Sequence, residues 1–467
     1  MLLGRFFIRK KMSKKAAIVL AAGMGTRMRS QTPKVLHRVC GKEMVSLVVD
    51  AARNAGFGSP VVVVPPDSDD IRGALPGSVS YVVQQRPLGT GHALLQAKEA
   101  IEESEEVVVM SGDVPLIRSE TIVSMMRHHM DIDAHVTILT ATFPEADGFG
   151  KVIRDEEGSI KAIRESVAGC DDCQEKADTE INAGVYCFNS AWLLPSLRAL
   201  APSDSNEIYL TDVVAKATEE GVSVASVSAR DRHEVIGVNT RVQLAAAEAS
   251  LRHTVREGWM LSGVTMPDPE AVYIDVDAEL GEDTVVMPNT HIVGASRIGS
   301  RCQIGPNTIV DGSKIADGCQ VVASVVEESI LDAGVSVGPF SHIRPGSHLE
   351  ECVRIGNFAE ITRSRLGAGT KAGHFSYLGD AEVGSDVNIG AGTVTCNYDG
   401  NRKHRTRIGD GASIGSDSML VAPVTIGERA STGAGAVVTN DVPADALVLG
   451  VPAKESQSQT DPKCASR

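Results

Sequence analysis

Residues 337–361, VGPFSHIRPGSHLEECVRIGNFAEI, contain the pattern that decides the fold of the C-terminal half. One aliphatic residue recurs at every sixth position, at Val337, Ile343, Leu349, Ile355 and Ile361. This period fits neither an α-helix, which repeats every ~3.6 residues, nor a strand, which alternates every ~2 residues. It is typical of a hexapeptide β-helix, in which each hexapeptide forms one flat face and its aliphatic side chain points into the interior. The stretch therefore predicts a left-handed parallel β-helix.

The same spacing recurs along the chain after about Gly263. A second series stands at Ile408, Ile414, Leu420 and Ile426. Between Thr395 and Ile408 the pattern is interrupted, because residues 396–405 include no aliphatic residue for the interior. We predict that this segment is a loop that projects from the coil. The periodicity by itself also allows a purely structural prism that only brings subunits together.

Upstream of the repeats, short β-branched runs alternate with helical patterns. The runs are residues 17–20, 61–64, 107–110 and 136–139. Runs that are apolar on successive residues suit strands buried on both faces, and residues 44–52 suit a covering helix. This half is predicted to be a Rossmann-like α/β domain with a mainly parallel sheet. An Ala-rich segment without Gly or Pro, from about Arg241 to His253, predicts a connecting helix.

Bulk properties limit the partners and the compartment. A chain of 467 residues is too long for one ordinary core, and its net charge of −15 disfavours nucleic acid and anionic membrane surfaces as partners. No apolar run approaches the roughly 18 residues that a membrane helix needs. The nine cysteines form no disulfide framework, which favours a reducing, cytoplasmic compartment. Cys170 and Cys173 lack a second pair at zinc-ligand spacing, so we predict no structural metal there.

A glycine-containing turn follows the first predicted strand. It reads Leu20-Ala21-Ala22-Gly23-Met24-Gly25-Thr26-Arg27, and Lys34 follows seven residues later. The two glycines allow the backbone to approach phosphate oxygens, and Arg27 and Lys34 supply the charge that a triphosphate requires. The turn is not the dinucleotide fingerprint, which needs a third glycine, nor a Walker loop, which needs Gly-Lys-Ser/Thr. We predict a nucleoside triphosphate site, with a plain tight turn as the alternative.

Further motifs give this turn a family context. Together with residues 33–37 (PKVLH), 88–92 (LGTGH) and 112–116 (GDVPL), it resembles the sugar nucleotidyltransferase family. Residues 180–184 (EINAG), 209–212 (YLTD) and 237–239 (GVN) narrow the resemblance. The chain is then similar, from about Lys15 to Pro452, to the bacterial family of bifunctional N-acetylglucosamine-1-phosphate uridyltransferases and glucosamine-1-phosphate N-acetyltransferases.

The resemblance implies an enzyme of UDP-N-acetylglucosamine synthesis, a precursor of peptidoglycan and lipopolysaccharide. An acetyl group passes from acetyl-CoA to glucosamine 1-phosphate, and UTP then reacts with N-acetylglucosamine 1-phosphate and releases pyrophosphate. Mg²⁺ as cofactor and a cytoplasmic homotrimer are also implied. The implied domains are an N-terminal extension at residues 1–14, the uridyltransferase at 15–237, a linker helix at 238–262, the β-helix acetyltransferase at 263–452 and a tail at 453–467.

For the uridyltransferase, the resemblance implies that Asp113 and Asn239 hold Mg²⁺, and both are oxygen donors suited to a hard cation. Asp113 ends a buried-type strand, where α/β sheets bind ligands. Nucleotide binding is implied for Leu20, Ala21, Ala22, Gly23, Gly25, Thr26, Arg27, Lys34, Gln84, Gly89 and Thr90. Sugar-phosphate binding is implied for Gly150, Glu165, Asn182 and Asn239.

Acetyl transfer needs a base for the amine proton and donors for the oxyanion. The resemblance implies that His374 is the base, that Glu360 orients it, and that Asn397 completes the catalytic set. Sugar-phosphate binding is implied for Arg344, Tyr377 and Asn388. Acetyl-CoA binding is implied for Ala391, Asn397, Tyr398, Lys403, Ser416 and Ala434, in a cleft between neighbouring subunits.

The sequence departs from the family at several places. Pro87 and Ser111 stand where the family usually has a glutamine and a tyrosine, and the tail after Pro452 lacks the basic residues that commonly close over coenzyme A. In the β-helix, Thr362 replaces a lysine that contacts the sugar phosphate. The adjacent Arg363 is the residue that could supply the missing charge. Two other interpretations remain at this stage: a single-activity sugar-nucleotide pyrophosphorylase with a structural β-helix, and a non-catalytic regulatory subunit like those of translation-factor exchange complexes. His374 with Asn397 and Tyr398 argues against the first. Arg27, Lys34 and Asp113 argue against the second.

Overall fold

The computed structural model describes residues 14–144, 149–165, 179–203 and 206–455. The chain divides into two compact units, and the boundary between them falls between Leu251 and Arg252. Cys170 and Cys173, considered above as a metal pair, lie outside the described residues. No helix within the described ranges is long and apolar enough to cross a membrane.

The first unit is built on a twisted sheet in the order β11-β7-β10-β6-β1-β4-β5. Its neighbours are parallel except at β10, which runs antiparallel to both β6 and β7, and the predicted mainly parallel sheet is confirmed. β2 and β3 form a separate hairpin, and β8 and β9 extend the sheet from β10. The strands are β1 Lys15–Leu20, β2 Arg38–Val39, β3 Lys42–Glu43, β4 Val61–Val64, β5 Ser80–Val83, β6 Glu106–Ser111, β7 Val136–Phe143, β8 Lys151–Arg154, β9 Ile160–Arg164, β10 Thr179–Asn189 and β11 Val224–Ser228.

Helices cover both faces of this sheet, as the continuous apolar runs predict. Val19 and Val62 face the core that Val48 and Met125 complete, whereas Ile18 belongs to the core on the other side. The α-helices are α1 Met44–Asn54, α2 Asp69–Gly73, α3 Thr90–Gln96, α4 Lys98–Glu102, α5 Ser119–Asp131, α6 Ser190–Arg198, α7 Asp212–Glu219 and α8 Arg241–Leu261. Short 3-10 helices are Thr26–Met28, Lys34–Leu36, Arg232–Val235 and Pro269–Ala271.

The predicted connecting helix is present as α8 and continues beyond His253 to Leu261. It stops there because Gly263 adopts a left-handed conformation, with φ of 93°, and its N–H bonds back to the carbonyl of Met260. A left-handed glycine just past the last turn is a common way to end a helix.

The second unit is a parallel β-helix with three flat faces, which confirms the predicted fold. The first face comprises Val272–Ile274, Thr290–Val293, Ile309–Asp311, Val325–Glu327, His342–Ile343, Ala359–Thr362, Ser376–Gly379, Val394–Cys396, Met419–Val421 and Val437–Val438. The second face comprises Glu279–Leu280, Arg297–Ile298, Lys314–Ile315, Ile330–Leu331, His348–Leu349, Arg365–Leu366, Ala381–Val383, Thr406–Ile408 and Val424–Ile426. The third face comprises Val285–Val286, Gln303–Ile304, Gln320–Val321, Ser336–Val337, Arg354–Ile355, Lys371–Ala372, Asn388–Ile389, Ser413–Ile414, Ser431–Thr432, Leu447–Leu449 and Lys454–Glu455.

The aliphatic series behaves as the hexapeptide period predicts. Successive members enter the interior from successive faces, and each is buried: Val337, Ile343, Leu349, Ile355 and Ile361. The predicted projecting loop is also confirmed, since Val394–Cys396 ends the first-face strand and the second face resumes only at Thr406–Ile408.

Glycine next to an interior residue lets one coil lie close to the next. A methyl group added at Gly356 would come within 1.8 Å of the carbonyl oxygen of Gly373 on the following coil, whereas one added at Gly373 would meet nothing within 4 Å. We expect Gly356→Ala to lower the free energy of unfolding by about 3 kcal/mol, the upper end for overpacking. Gly373→Ala is the matched control and should leave the calorimetric unfolding transition of the full chain almost unchanged. Equal shifts for the two variants would contradict this explanation.

Two candidate active sites

The first candidate site is a cleft of about 530 Å³ at the carboxyl ends of β1 and β6. This edge is where open α/β sheets bind ligands. The cleft is lined by Leu20, Ala22, Gly23, Met24, Gly25, Thr26, Arg27, Lys34, Val35, Gln84, Pro87, Gly89, Thr90, Ala93, Ser111, Asp113, Glu207 and Tyr209. Most of the expected nucleotide-binding residues therefore line one cleft. Ala21 does not, because its side chain is buried and its N–H donates to the carbonyl of Val63 at 2.8 Å.

The turn after β1 is shaped around Lys34. Gly25 has φ of 62°, and a methyl group added there would lie 2.4 Å from Cβ of Lys34. Position 25 requires glycine for two reasons. Its backbone is left-handed, and the side chain of Lys34 occupies the space that a Cβ atom would need. The lysine stem thus packs against the turn, and its ammonium group reaches the end of β6.

Four polar side chains meet at that end of the cleft. Lys34 Nζ is paired with the carboxylate of Asp113 and donates to Asn239 Oδ1 at 3.1 Å. Arg27 Nη2 also donates to Asn239 Oδ1, at 2.9 Å. Asn239 is brought here by a backbone bond, 2.8 Å from the N–H of Val238 to the carbonyl of Asp113. One carboxylate oxygen and one amide oxygen therefore converge on a single cationic group.

On the other side of the cleft, a buried glutamine fixes the second glycine turn. Gln84 Nε2 donates to the carbonyl of Gly89 at 3.1 Å and lies 3.0 Å from His92 Nδ1. Gly89 has φ of 93°, and an added methyl group would lie 2.5 Å from the carbonyl oxygen of Ile208. Thr90 Oγ1 accepts from the N–H of Leu210 at 2.9 Å. The turn is therefore anchored to the segment that carries Tyr209.

The expected sugar-binding residues form their own group on β8, β9 and β10. The N–H of Asn182 donates to the carbonyl of Gly150 at 2.8 Å, and a methyl group added at Gly150 would lie 3.7 Å from Glu165 Oε2. Glu165 Oε1 accepts from Thr211 Oγ1 at 2.9 Å. Asn182 Nδ2 donates to the hydroxyl of Tyr186 at 2.6 Å, and burial raises the pKa of that hydroxyl. Asn239, the remaining expected sugar ligand, lies instead with Lys34.

The second candidate site lies on the β-helix, at both edges of the first face. At the corner between the third and first faces, His374 is exposed and makes no hydrogen bond or ion pair with the described residues. Ala391, Ser416 and Ala434 occupy the same corner on the following coils, because Asn388 pairs with Lys371 and with Ser413. The three small side chains leave room along this corner below His374.

The other edge of the first face holds a polar cluster. Arg344 Nη1 donates to Glu360 Oε1 at 2.8 Å, and this contact raises the pKa of the arginine. Glu360 is thus paired with Arg344 in this structure, and its expected role of orienting His374 stays a prediction. Tyr377 lies next to Glu360 in register, and its hydroxyl and the amide nitrogen of Asn397 both lie close to Gly379.

The projecting loop, residues 397–405, is held by its own hydrogen bonds. Asp399 Oδ1 accepts from the N–H groups of Arg402 and Asn401 at 2.9 and 2.8 Å, and Oδ2 lies 2.6 Å from His404 Nε2. The N–H bond from Arg402 and the contact with His404 hold the pKa of Asp399 well below its usual range. Tyr398 is exposed and pairs with Lys403 across the loop. Both side chains therefore stand on a preformed turn.

The departure at Thr362 has a structural consequence. The Thr362 side chain is 4 % exposed, so it does not extend toward a ligand. Arg363 gives Nε and Nη2 to the two carboxylate oxygens of Asp380, at 2.8 and 2.9 Å. The guanidinium that could replace the missing lysine is thus already committed to a carboxylate.

The sequence alone did not identify Gly379, Asp380, Glu207 or Tyr209. Tyr209 belongs to a quoted motif and lines the cleft, so the motif itself was the available signal. Gly379 and Asp380 have no such signal, because both are set apart only by their proximity to Asn397, which lies on the following coil. Within the described residues, no cluster of three His, Cys, Asp or Glu side chains is arranged to hold a metal ion.

Comparison with known proteins gives matches along the chain. The Nucleotidyl transferase family matches residues 16–260, and the Bacterial transferase hexapeptide (six repeats) family matches residues 277–312 and 405–440. Bifunctional protein GlmU of Heliobacterium modesticaldum is 46% identical over 442 residues, which cover 94% of this chain and 96% of the relative. Bifunctional protein GlmU of Halalkalibacterium halodurans and that of Shouchella clausii are each 44% identical over 440 residues, with 94% and 96% coverage.

A nucleotidyltransferase cleft followed by a hexapeptide-repeat β-helix defines a double transferase that makes a nucleotide sugar. The chain belongs to the bifunctional GlmU family. It is an enzyme of UDP-N-acetylglucosamine synthesis with uridylyltransferase and acetyltransferase activities, which confirms the expectation from the sequence. The interpretations as a single-activity pyrophosphorylase or as a regulatory subunit are thereby set aside.

Gly379 provides a test of the polar cluster. A methyl group added there would lie 2.5 Å from the hydroxyl of Tyr377 and 2.6 Å from Asn397 Nδ2. These atoms are the ends of side chains, so we expect Gly379→Ala to displace them without unfolding the coil. A displacement of about 1 Å at a reacting site can cost ~10²-fold in rate. Acetyl transfer should fall by about that factor, while uridylyl transfer and the unfolding temperature, measured on the same protein, stay near those of the wild type. An unchanged acetyl-transfer rate would contradict the expectation.

Proposed function

We propose that the two reactions proceed at the two separate sites described above, with Mg²⁺ at the first and a subunit interface of a homotrimer at the second. The observation that supports the first assignment is the convergence of Asp113 and Asn239 on Lys34 Nζ. The observation that supports the second is the separation of His374 and Asn397 on opposite edges of one face.

The oxygen pair fits a magnesium ion. Mg²⁺ prefers oxygen ligands and is usually held by one or two protein groups together with substrate phosphates and water. Asp113 and Asn239 supply two such oxygens, and both already face a positive charge. When bound, the ion neutralises charge on the phosphates and orients them. Two protein ligands leave most of the coordination shell open, which suits an ion that arrives with a triphosphate.

Uridylyl transfer needs positioning and charge neutralisation more than a covalent nucleophile. An oxygen of the sugar 1-phosphate attacks the α-phosphorus of UTP, a new P–O bond forms, and the bond to the β-phosphate oxygen breaks so that pyrophosphate leaves. Arg27 and Lys34 bind the triphosphate in this proposal, because they are the cations that line the cleft. Gln84, Gly89 and Thr90 receive the nucleoside, and Gly150, Glu165 and Asn182 receive the sugar.

The first test removes the carboxylate of Asp113. Asp113→Ala should reduce pyrophosphate release by at least about 10²-fold, since a bound metal is worth several kcal/mol of charge stabilisation. Acetyl transfer should stay near the wild-type rate because the residue belongs to the first unit. Asp70→Ala, which removes an exposed carboxylate on α2 outside the cleft, is the matched control. Loss of both activities without unfolding would refute the two-site proposal.

In acetyl transfer, the amine of glucosamine 1-phosphate attacks the thioester carbonyl of acetyl-CoA. A C–N bond forms, the C–S bond breaks, and the amine proton passes to the base and then to the thiolate of coenzyme A. We assign the base to His374, whose imidazole is exposed at the corner that Ala391, Ser416 and Ala434 continue. Arg344, Tyr377 and Asn388 bind the sugar phosphate, and Lys403 with Tyr398 meets the coenzyme from the loop.

The width of the first face supports a site shared between subunits. His374 precedes the first-face strand Ser376–Gly379, and Asn397 follows the corresponding strand of the next coil. A strand of four residues spans about 13 Å, far more than a hydrogen bond. His374 and Asn397 of one chain therefore do not reach the same atoms. A neighbouring chain of a homotrimer would place its projecting loop against the His374 corner and complete the site.

Subunit mixing tests both the base and the shared site. His374→Ala should slow acetyl transfer by about 10²- to 10⁴-fold, the usual contribution of a positioned proton acceptor, and Asn397→Ala should also impair it. In a closed symmetric oligomer, each shared site takes His374 from one chain and Asn397 from its neighbour. When the two variants are co-expressed and mix at random, about one site in four receives both intact residues and should regain activity. Failure of the mixture to exceed either variant would refute a shared site. Full activity of His374→Ala alone would leave the β-helix as a scaffold.

A further inference from the structure

Asp380 connects three coils of the β-helix at the corner between the first and second faces. Its Oδ1 accepts from Nε of Arg363 at 2.8 Å, and its Oδ2 accepts from Nη2 of the same guanidinium at 2.9 Å. The same Oδ2 accepts from Asn397 Nδ2 at 2.5 Å. Arg363, Asp380 and Asn397 each follow a first-face strand on successive coils. No part of the proposed reaction uses Asp380 directly.

The chemistry of Asp380 decides the orientation of the Asn397 amide. A carboxylate only accepts hydrogen bonds, so the amide nitrogen of Asn397, not its oxygen, must face it. The guanidinium of Arg363, followed by the hydrogen bond from Asn397, holds the pKa of Asp380 below its usual range. Asp380 therefore stays ionised at neutral pH. The Asn397 oxygen Oδ1 consequently points away from Asp380, and it has no hydrogen-bond partner among the described residues.

The backbone conformation of Asp380 is shared with other turns of the β-helix, whereas the burial of Asn397 bears directly on its amide. Asp380 has φ of 50°, a left-handed conformation that costs a residue other than glycine roughly 1–2 kcal/mol. Glu328 and Arg363, which follow first-face strands on earlier coils, are left-handed as well, with φ of 39° and 46°. Asn397 is only 6 % exposed, so its amide does not rotate freely in solvent. The carboxylate thus holds a nearly buried amide in one of its two flipped states.

We propose that Asp380 is a positioning residue for acetyl transfer, which holds the Asn397 amide with its oxygen directed to the amino group of glucosamine 1-phosphate. The inference rests on the proposed function, because it takes Asn397 to be part of the acetyl-transfer site. Asp380 itself does not touch the substrate. It also holds Arg363 in place beside Thr362. The effect of Asp380 on the reaction is therefore transmitted through Asn397.

A matched control exists on the same β-helix. Arg429 Nε and Nη2 donate to Asp445 Oδ1 and Oδ2 at 2.6 and 2.8 Å, and Asp445 is also left-handed, with φ of 61°. This pair reproduces the ion pair and the backbone conformation of Asp380, but Asp445 has no asparagine partner among the residues that the structure describes. We expect Asp380→Ala to lower kcat of acetyl transfer by about ten- to a hundredfold, the value of a hydrogen bond to a charged group. Asp445→Ala should leave kcat within about twofold of the wild type.

An exchange of the two side chains separates positioning from general damage. Asn397→Asp alone places two carboxylates in contact, and acetyl transfer should fall by at least about a hundredfold. Adding Asp380→Asn should then restore at least about tenfold, because the amide introduced at position 380 can donate to the carboxylate at position 397 and the acceptor facing the substrate is kept. If Asp380 only stabilised the fold, Asp380→Asn would add damage to Asn397→Asp. It would not restore acetyl transfer. Uridylyl transfer and the unfolding temperature of every variant serve as internal controls.

The outcomes distinguish the inference from the function on which it rests. If Asp380→Ala and Asp445→Ala behave alike, or if the exchange is no better than Asn397→Asp, the positioning role is wrong while the acetyl-transfer site stands. If Asn397→Ala retains full acetyl transfer, the proposed site is wrong and the inference fails with it. A rise of KM for acetyl-CoA with unchanged kcat would likewise overturn the positioning role, because it indicates a contact with the coenzyme.

Discussion

The β-helix depends on the register between each strand and the strand one coil further along. Interior residues such as Ile343 lie on strands whose side chains alternate, so a slip of one residue would turn Ile343 toward solvent and bring a polar neighbour inside. The register also fixes the corners. It stacks His374 above Ala391 and Ser416, and it likewise brings Asp380 above Asn397. The strand register thus holds residues that are far apart in sequence one coil apart in space, and no additional helix or loop is needed to bring them together.

The interior of the β-helix was largely predictable, because one aliphatic residue per hexapeptide is both the sequence signal and the physical content of the core. The rule fails at Thr395, which is polar and yet fully buried at an interior position of the first face. Its hydroxyl accepts from the N–H of Gly379 at 2.7 Å and lies 3.0 Å from the carbonyl oxygen of the same residue. A buried hydroxyl with such partners costs little. The partner belongs to the preceding coil, so the spacing alone does not reveal it.

The sequence predicted the residues of the two candidate sites to different extents. Asp113 follows a buried strand, and the rule that ligands bind at strand ends places it in the cleft. The same rule says nothing of Lys34, which reaches Asp113 from a short 3-10 helix and across the turn at Gly25. On the β-helix, motifs identify His374 and Asn397 but not Asp380, whose role exists only through two hydrogen-bond donors on other coils. Sequence patterns thus identify the candidate site residues better than the residues that hold them in place.

The two sites also differ in how a concave surface can arise. The cleft of the first unit forms within one chain, because loops rise around the carboxyl ends of neighbouring strands. A β-helix face is flat, since its interior residues keep each strand in plane. A concave site on such a face must therefore be formed by a segment that projects from it. Residues 397–405 project, and the bonds to Asp399 hold their shape until strongly acidic pH because the pKa of that carboxyl is depressed. A loop ordered before docking loses less entropy when it meets a partner surface. The internal bonds of this loop therefore favour its use against a neighbouring chain, where a flexible segment would bind more weakly.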